Sequence, residues 1–480
     1  MTDSEILEGV LEEFKKLAAI PRPSGHIEKV SLFLKDYFAE MGFNAVQDEV
    51  KNVIVDAPPA AGFENAPLIV LQGHMDMVAV EADGVPFNPA KDPIRLMRDD
   101  KYLKAAGTSL GADDGMGVAA IMFLAKNMKT RGALRFIFTV DEETGMTGAS
   151  FLDEKYLKDA KYLINCDSEV FDEITVGCAG NVTMDFEKEI NRIPIAKKNI
   201  VEISLTGLLG GHSGERIGDN RANAIKSLAK ACGEIDGQSE IELIEINGGN
   251  ARNAIPSFAK CVIATDMEPD MLNIVLMNEG RSLYSMYDEE GATFSVKEVA
   301  TDKKAIARGD AMRILQFINL VHSGIYAVDQ NGNVETSANL GMIRTEENQV
   351  KISVLPRSSR DKKLDLFISK GKDLAELTGF KAAFSDKTPC WSYSESVPLA
   401  EAMKEIFEKT TGGKMRIKET HAGLECGYFK KKNPDLEIVS VGTTNEEIHS
   451  PRERLALATV APMVRMVEQT ILDISKKTCF

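Results

Sequence analysis

Five short stretches of the sequence combine histidines and carboxylates in patterns able to hold divalent cations. In G-H-M-D (73–76), His74 stands two residues before Asp76 at the end of an apolar run. Strand alternation turns both side chains to one face, where a carboxylate can accept the second N–H of a ligating imidazole and fix its tautomer. In G-A-D-D-G-M-G (111–117), Asp113 and Asp114 open a helical pattern, a place where capping alone would account for an aspartate. D-E-E-T-G (141–145) brings together Asp141, Glu142 and Glu143, which repel unless a cation sits among them, although an exposed turn tolerates them through water. N-C-D-S-E (165–169) adds Asp167, and E-I-H-S-P (447–451) adds His449. Taken together, His74, Asp113, Glu143, Asp167 and His449 form a mixed nitrogen and oxygen ligand set suited to two borderline divalent ions, zinc first, then cobalt or manganese. Two close cations need a bridging carboxylate and a nearby base, tasks that Glu142 and Glu143 could divide.

Such residues must be positioned by an α/β frame. The apolar runs LIVLQGH (68–74), LRFIFTV (134–140) and YLINCDS (162–168) alternate with helical patterns, one from about Met116 to Met128, as in a largely parallel sheet. Each run leads directly into ionisable residues. His74, Asp76, Asp141, Glu142, Glu143 and Asp167 are therefore expected at the carboxyl ends of strands, the edge at which open α/β sheets bind ligands. From about residue 196 the order becomes strand, helix, two strands, helix, strand. A second pass of helix, two strands, helix and strand ends near FKAAFSDK, so the middle of the chain reads as two related α+β halves. The final segment returns to α/β character, with a C-terminal helix ending near Lys477. The expected organisation is a catalytic domain built from 1–183 and 392–480, interrupted by a lid domain over 184–391. The first residues read as an amphipathic helix with Leu7, Val10, Leu11, Phe14 and Leu17 on one face, not as an export signal.

Composition bounds what this frame serves. At 480 residues the chain exceeds the roughly 250 to 300 that one core can organise, so more than one domain is expected. A net charge of −16 argues against nucleic acid as a partner, since that binding rests on Lys and Arg neutralising phosphates. No run approaches the ~18 apolar residues that would span a bilayer, so no membrane partner is expected. Seven scattered cysteines without a CxxC pair indicate neither a disulfide framework nor a thiolate metal site, and fit a reducing cytoplasm.

The ordered set GHMDMV, GADDGMG, DEETG, INCDSE, GGHSG, RNAIPS, HAGLECG and IHSP resembles the M20 zinc peptidases across essentially the whole chain, and within them the aminoacyl-histidine (Xaa-His, β-alanyl-histidine) dipeptidases. The resemblance implies an α/β zinc-peptidase catalytic domain of the phosphorylase/hydrolase-like kind, with an inserted α+β lid domain made of two related halves. It implies two Zn2+. His74 and Glu143 would hold one ion, completed by His449 or Asp113, while Asp167 and the other histidine hold the second. Asp113 would bridge the ions, its bond to Asp114 cis, and Asp76 would orient His74. Glu142 would be the general base, passing a proton from the attacking water to the leaving amine. His212 in GGHSG would serve from the lid as an oxyanion donor, although glycines around a histidine also mark tight turns. Arg357, after QVKISVLP, and Gly423 in HAGLECG would grip the substrate's terminal carboxylate, with Asn253 a further contact; a surface ion pair is the other reading of Arg357. His421 lies within the same motif, whereas His26 and His322 read as structural.

The implied activity is metal-dependent hydrolysis of Xaa-His and other small dipeptides. Deacylation of N-acyl amino acids on the same metals, and metal binding without turnover, are the competing readings. A doubled lid could supply within one chain the surfaces that single-lid relatives obtain by pairing, which leaves both a monomer and a homodimer open.

Overall fold

The structure is a computed structural model that describes residues 1–287, 289–385, 387–392 and 397–476. Lys477 and Cys479 lie outside the described residues. The chain divides into two compact units, one holding Met1–Gly177 and most of the chain beyond Ser392, the other holding Cys178–Ser392 with Thr420–Gly423.

In the first unit an eight-stranded sheet runs Asn44–Gln47, Val53–Ala57, Leu134–Thr139, Leu68–His74, Ala160–Ser168, Glu437–Gly442, Glu173–Cys178, Arg416–Thr420. The four strands from Leu134–Thr139 to Glu437–Gly442 are mutually parallel. Strands covered on both faces read as near-continuous apolar runs, and Leu134–Thr139 is indeed buried at every position. The helix Ala112–Asn127 packs against Leu68–His74 and Ala160–Ser168, and is buried from Ala112 to Ala125. Gly117 permits that approach, because a Cβ there would lie 2.7 Å from the Cys166 carbonyl oxygen. The N-terminal helix, Asp3–Ala18, is set by a capping box of Thr2 and Glu5. Its buried stripe runs through Ile6, Val10, Phe14 and Leu17 with Leu11 beside it, and Leu7 is only partly covered, since the 3.6 period centres the stripe on Ile6. The C-terminal helix is Val460–Ser475.

The second unit is built on a ten-stranded sheet whose main path runs Thr293–Glu298, Asn199–Thr206, Ala259–Thr265, Ile241–Gly248, Val334–Thr345, Gln349–Ser358, Met184–Glu189, Lys381–Phe384. Two β-α-β-β-α-β sets share one strand order, 4-1-3-2, and meet where Gly248 faces Ile343. The halves are not consecutive in the chain. Met184–Glu189 supplies the first strand of the second set, between Gln349–Ser358 and Lys381–Phe384, so the first set is inserted after it. The expected division near residue 184 also shifts. Cys178 exchanges backbone hydrogen bonds with Trp391 at 2.9 and 3.0 Å, and Asn181 with Thr388 at 3.2 and 2.9 Å, which ties the residues before Met184 to the second unit. Among the described residues no helix is long and apolar enough to cross a membrane.

Candidate active site

Three parallel strands of the first unit end in the residues singled out above. His74 closes Leu68–His74, Asp141 to Glu143 follow Leu134–Thr139, and Asp167 lies near the end of Ala160–Ser168. Asp113 is delivered by the start of Ala112–Asn127, where Asp113 and Asp114 leave helical geometry and their peptide bond is cis. His449 comes from a loop and holds φ at 56°, a left-handed conformation uncommon outside glycine; Asp141, at 53°, shares it.

These side chains converge. His74 Nε2 lies 3.0 Å from Asp113 Oδ1 and 3.4 Å from Asp167 Oδ1. His449 Nε2 lies 3.1 Å from Asp113 Oδ2 and 3.0 Å from Glu143 Oε2. Asp113 thus turns one oxygen to each imidazole. Two groups able to hold an ion result, His74 with Asp113 and Asp167, and His449 with Asp113 and Glu143, the ligand atoms of each within 4.8 Å of one another. The sequence left open which histidine completes the site of Glu143, and both occur near it: Glu143 meets His449 in the second group, while His74, Glu142 and Glu143 form a third group within the same limit. Asp76 sits 3.5 Å from His74 Nδ1, long for a hydrogen bond, and accepts instead from the backbone N–H of Glu142 at 3.1 Å and from the Ser24 hydroxyl at 2.8 Å.

A cluster of this composition needs positive charge. Asp113, Glu143 and Asp167 form ion pairs with His74 and His449, and with no lysine or arginine among the described residues. Burial pulls the His74 imidazole down, yet Asp167, Asp113 and Asp76 leave it well above its ordinary value. Against burial, Asp113 and Glu143 push His449 up to about 11. Burial, with Asp167, Glu143 and Glu425 adding to it against His74, holds the Glu142 carboxyl well above the usual range. One imidazole nitrogen facing two carboxylate oxygens can give a proton to only one of them, whereas a cation serves both. The donor set therefore fits divalent metal.

Two buried groups brace the site without any local pattern to announce them. Glu453 accepts backbone N–H groups of Leu110, Gly111 and Ala112 at 2.7, 2.9 and 2.8 Å, fixing the turn before Asp113. Arg22 donates to the carbonyls of Met75 and Asp76 at 3.1 and 2.9 Å and to that of Gly111.

The remaining candidates, His212, Asn253, Arg357 and Gly423, belong to the second unit. Arg357 is 5% exposed and has no carboxylate within ion-pair distance among the described residues; its side-chain partner is His212 Nε2 at 3.4 Å. A buried guanidinium without a carboxylate partner is able to take an anion. The reading of Arg357 as a surface ion pair is thereby overturned. Burial and Arg357 together hold the neighbouring His421 down at about 4, and its Nε2 lies 2.8 Å from the Ser337 hydroxyl. The Ala254 backbone pairs with His212, and the Asn253 carbonyl accepts the Ser213 N–H at 2.7 Å. The side chain of Asn253 is exposed. The segment carrying Gly423 is joined to this unit through Ala179, whose N–H reaches the carbonyls of Thr420 and Ala422 at 3.1 and 3.2 Å.

Clustered imidazoles and carboxylates along the carboxyl edge of a parallel sheet are the donor set of a metal-dependent hydrolase. The chain belongs to peptidase family M20/M25/M40, whose profile matches residues 70–473. It is 33% identical over 472 residues to the cytosol non-specific dipeptidase of Escherichia coli (strain K12), covering 97% of each chain. Its fold is similar to the crystal structure of aminoacylhistidine dipeptidase from Vibrio alginolyticus, with a TM-score of 0.83, 33% identity and 96% of each chain covered. A shorter match, 26% identical over 172 residues, relates 34% of this chain to 44% of a succinyl-diaminopimelate desuccinylase of Rickettsia typhi.

Proposed function

We propose that the protein is a cytosolic two-zinc dipeptidase that hydrolyses the amide bond of small unblocked dipeptides, Xaa-His among them. The observation that carries the reading is Asp113, whose two oxygens face two imidazoles, each with a further carboxylate of its own. The full-length likeness to a dipeptidase, against a partial likeness to a desuccinylase, favours dipeptides over acylated amino acids. His74, Asp113 and Asp167 would hold one ion, and His449, Asp113 and Glu143 the other, with cobalt or manganese as substitutes for zinc. When bound, the ions would supply Lewis acidity and a nucleophilic water at neutral pH.

The chain's own residues do the rest. Glu142 takes the proton of the attacking water and hands it to the departing amine. Arg357 binds the substrate's terminal carboxylate, with Gly423 offering its backbone N–H and Asn253 a polar side chain. His212 donates to the carbonyl oxygen as negative charge develops there. His212→Ala is expected to leave the circular dichroism spectrum and metal content unchanged and to lower turnover roughly 100-fold, the scale of one lost oxyanion donor. Unchanged turnover would remove His212 from the reaction.

The test is hydrolysis of carnosine, other Xaa-His dipeptides, non-histidine dipeptides, a tripeptide and an N-acetyl amino acid, before and after chelation. Cleavage confined to dipeptides and abolished by the chelator is expected, and the order of rates reads the preference for histidine. Cleavage of the acetylated compound alone would make the protein a deacylase on the same ligands, and a metal-loaded protein inert on every compound would make it a binding protein.

A further inference from the structure

Beneath the ligand cluster, four adjacent strands each carry a fully buried polar side chain. Thr139, Gln72, Asn165 and Ser440 lie on Leu134–Thr139, Leu68–His74, Ala160–Ser168 and Glu437–Gly442, and all four are fully buried. Gln72 pairs with Asn165 and Asn165 with Ser440 in the sheet register, so these three stand side by side. Gln72 precedes His74 by two residues and Asn165 precedes Asp167 by two, which puts each on the strand face of a candidate ligand.

The hydrogen bonds of this row all run one way. Ser440 donates its hydroxyl to Asn165 Oδ1. Asn165 Nδ2 donates to Gln72 Oε1 at 2.6 Å, and Gln72 Nε2 donates to Glu425 Oε2 at 2.7 Å. Thr139 donates to the same Glu425 oxygen at 2.6 Å and accepts from Gln72 Nε2 at 3.0 Å. Beside the Thr139 hydroxyl, an acceptor at the end of the row draws the Gln72 NH2 outward and leaves its oxygen for Asn165, whose own oxygen then faces Ser440 and the Asp167 N–H at 3.4 Å. Glu425 is that acceptor. It is fully buried, and its second oxygen, Oε1, has no hydrogen-bond partner among the described residues, a costly arrangement for a buried carboxyl group.

We propose that Glu425 is a positioning residue of the metal centre: as terminal acceptor of this ladder it fixes Gln72 and Asn165, and through them the setting of His74 and Asp167. The inference rests on the metal binding proposed above and adds a group whose hydrogen bonds go to Gln72 and Thr139 rather than to a ligand. Partners of ligating side chains shift metal affinity by about 10- to 100-fold when removed.

The experiment titrates zinc into the metal-free full-length protein against a chromophoric chelator, beside kcat and KM on a cleaved dipeptide. Glu425→Leu, which removes the acceptor, is expected to weaken zinc binding about 10- to 100-fold and to lower kcat with little change in KM. Glu425→Gln keeps an acceptor oxygen toward Thr139 and Gln72, and is expected to restore zinc affinity to well within the roughly tenfold that marks a lost outer partner. Should Glu425→Leu fail to fold, Gln72→Met breaks the ladder one rung on and is expected to show the same loss. Wild-type zinc affinity in the leucine or methionine variant would overturn the proposal, and so would a glutamine variant as weak as the leucine one. Absence of zinc binding by the unaltered protein would instead overturn the proposed function itself.

Discussion

Glu142→Ala is expected to keep both metal ions and to lose between about 100- and 10,000-fold in turnover, the range that general base catalysis contributes. Retention of metal follows from the proposed ligand sets, because the two groups that share Asp113 do not include Glu142, which occurs only in the third group with His74 and Glu143. Loss of rate follows from its placement beside the cluster. Its backbone N–H is held by Asp76 Oδ1 at 3.1 Å, on the turn that leaves Leu134–Thr139, so the carboxyl is carried by a fixed strand end. Burial, reinforced by Asp167, Glu143 and Glu425, raises its proton affinity, which is what a group that must accept a proton and give it up again near neutral pH requires. Elemental analysis of the purified variant and single-turnover kinetics check both halves. Loss of zinc with a modest change in rate would make Glu142 a ligand and leave the base to be found elsewhere.

Much of this site was readable from the sequence because local rules governed it. Strands buried on both faces are near-continuous apolar runs, and Leu68–His74, Leu134–Thr139 and Ala160–Ser168 each break into ionisable residues at the edge where a parallel sheet binds ligands. Side-chain chemistry then picked out the imidazoles and carboxylates. The grouping of the histidines was not readable, since it depends on how the loop carrying His449 reaches Asp113 across a separation of more than three hundred residues. Arg22 and Glu453 escaped for a related reason: both act on backbone carbonyls or N–H groups of distant turns, and a backbone group leaves no signature in the letters. Met184–Glu189 reads as an ordinary half-buried strand, and nothing in its own residues says that its partners are Gln349–Ser358 and Lys381–Phe384. Glu425 looked like part of a glycine-bearing loop, and only the burial of Gln72, Thr139 and Asn165 around it gives the carboxyl a purpose.

Substitution of Asp113 separates a shared ligand from two independent sites. Asp113 is the side chain common to the group of His74 and Asp167 and the group of His449 and Glu143, with Oδ1 3.0 Å from His74 Nε2 and Oδ2 3.1 Å from His449 Nε2. Asp113→Asn removes the charge and one of the two oxygens while keeping the shape, so no single orientation of the amide can offer an acceptor to both ions. The expected result is at most one firmly held ion per chain after dialysis and a fall in turnover of at least about 1,000-fold, since a bridged pair supplies several kcal/mol of transition-state stabilisation. His449→Ala, which touches one group only, is expected to keep the ion at His74 and Asp167. If instead Asp113→Asn retained two ions at wild-type turnover, the two groups would be independent sites. Asp113 would then serve only to hold the imidazoles in place, and the reaction would have to proceed at one metal.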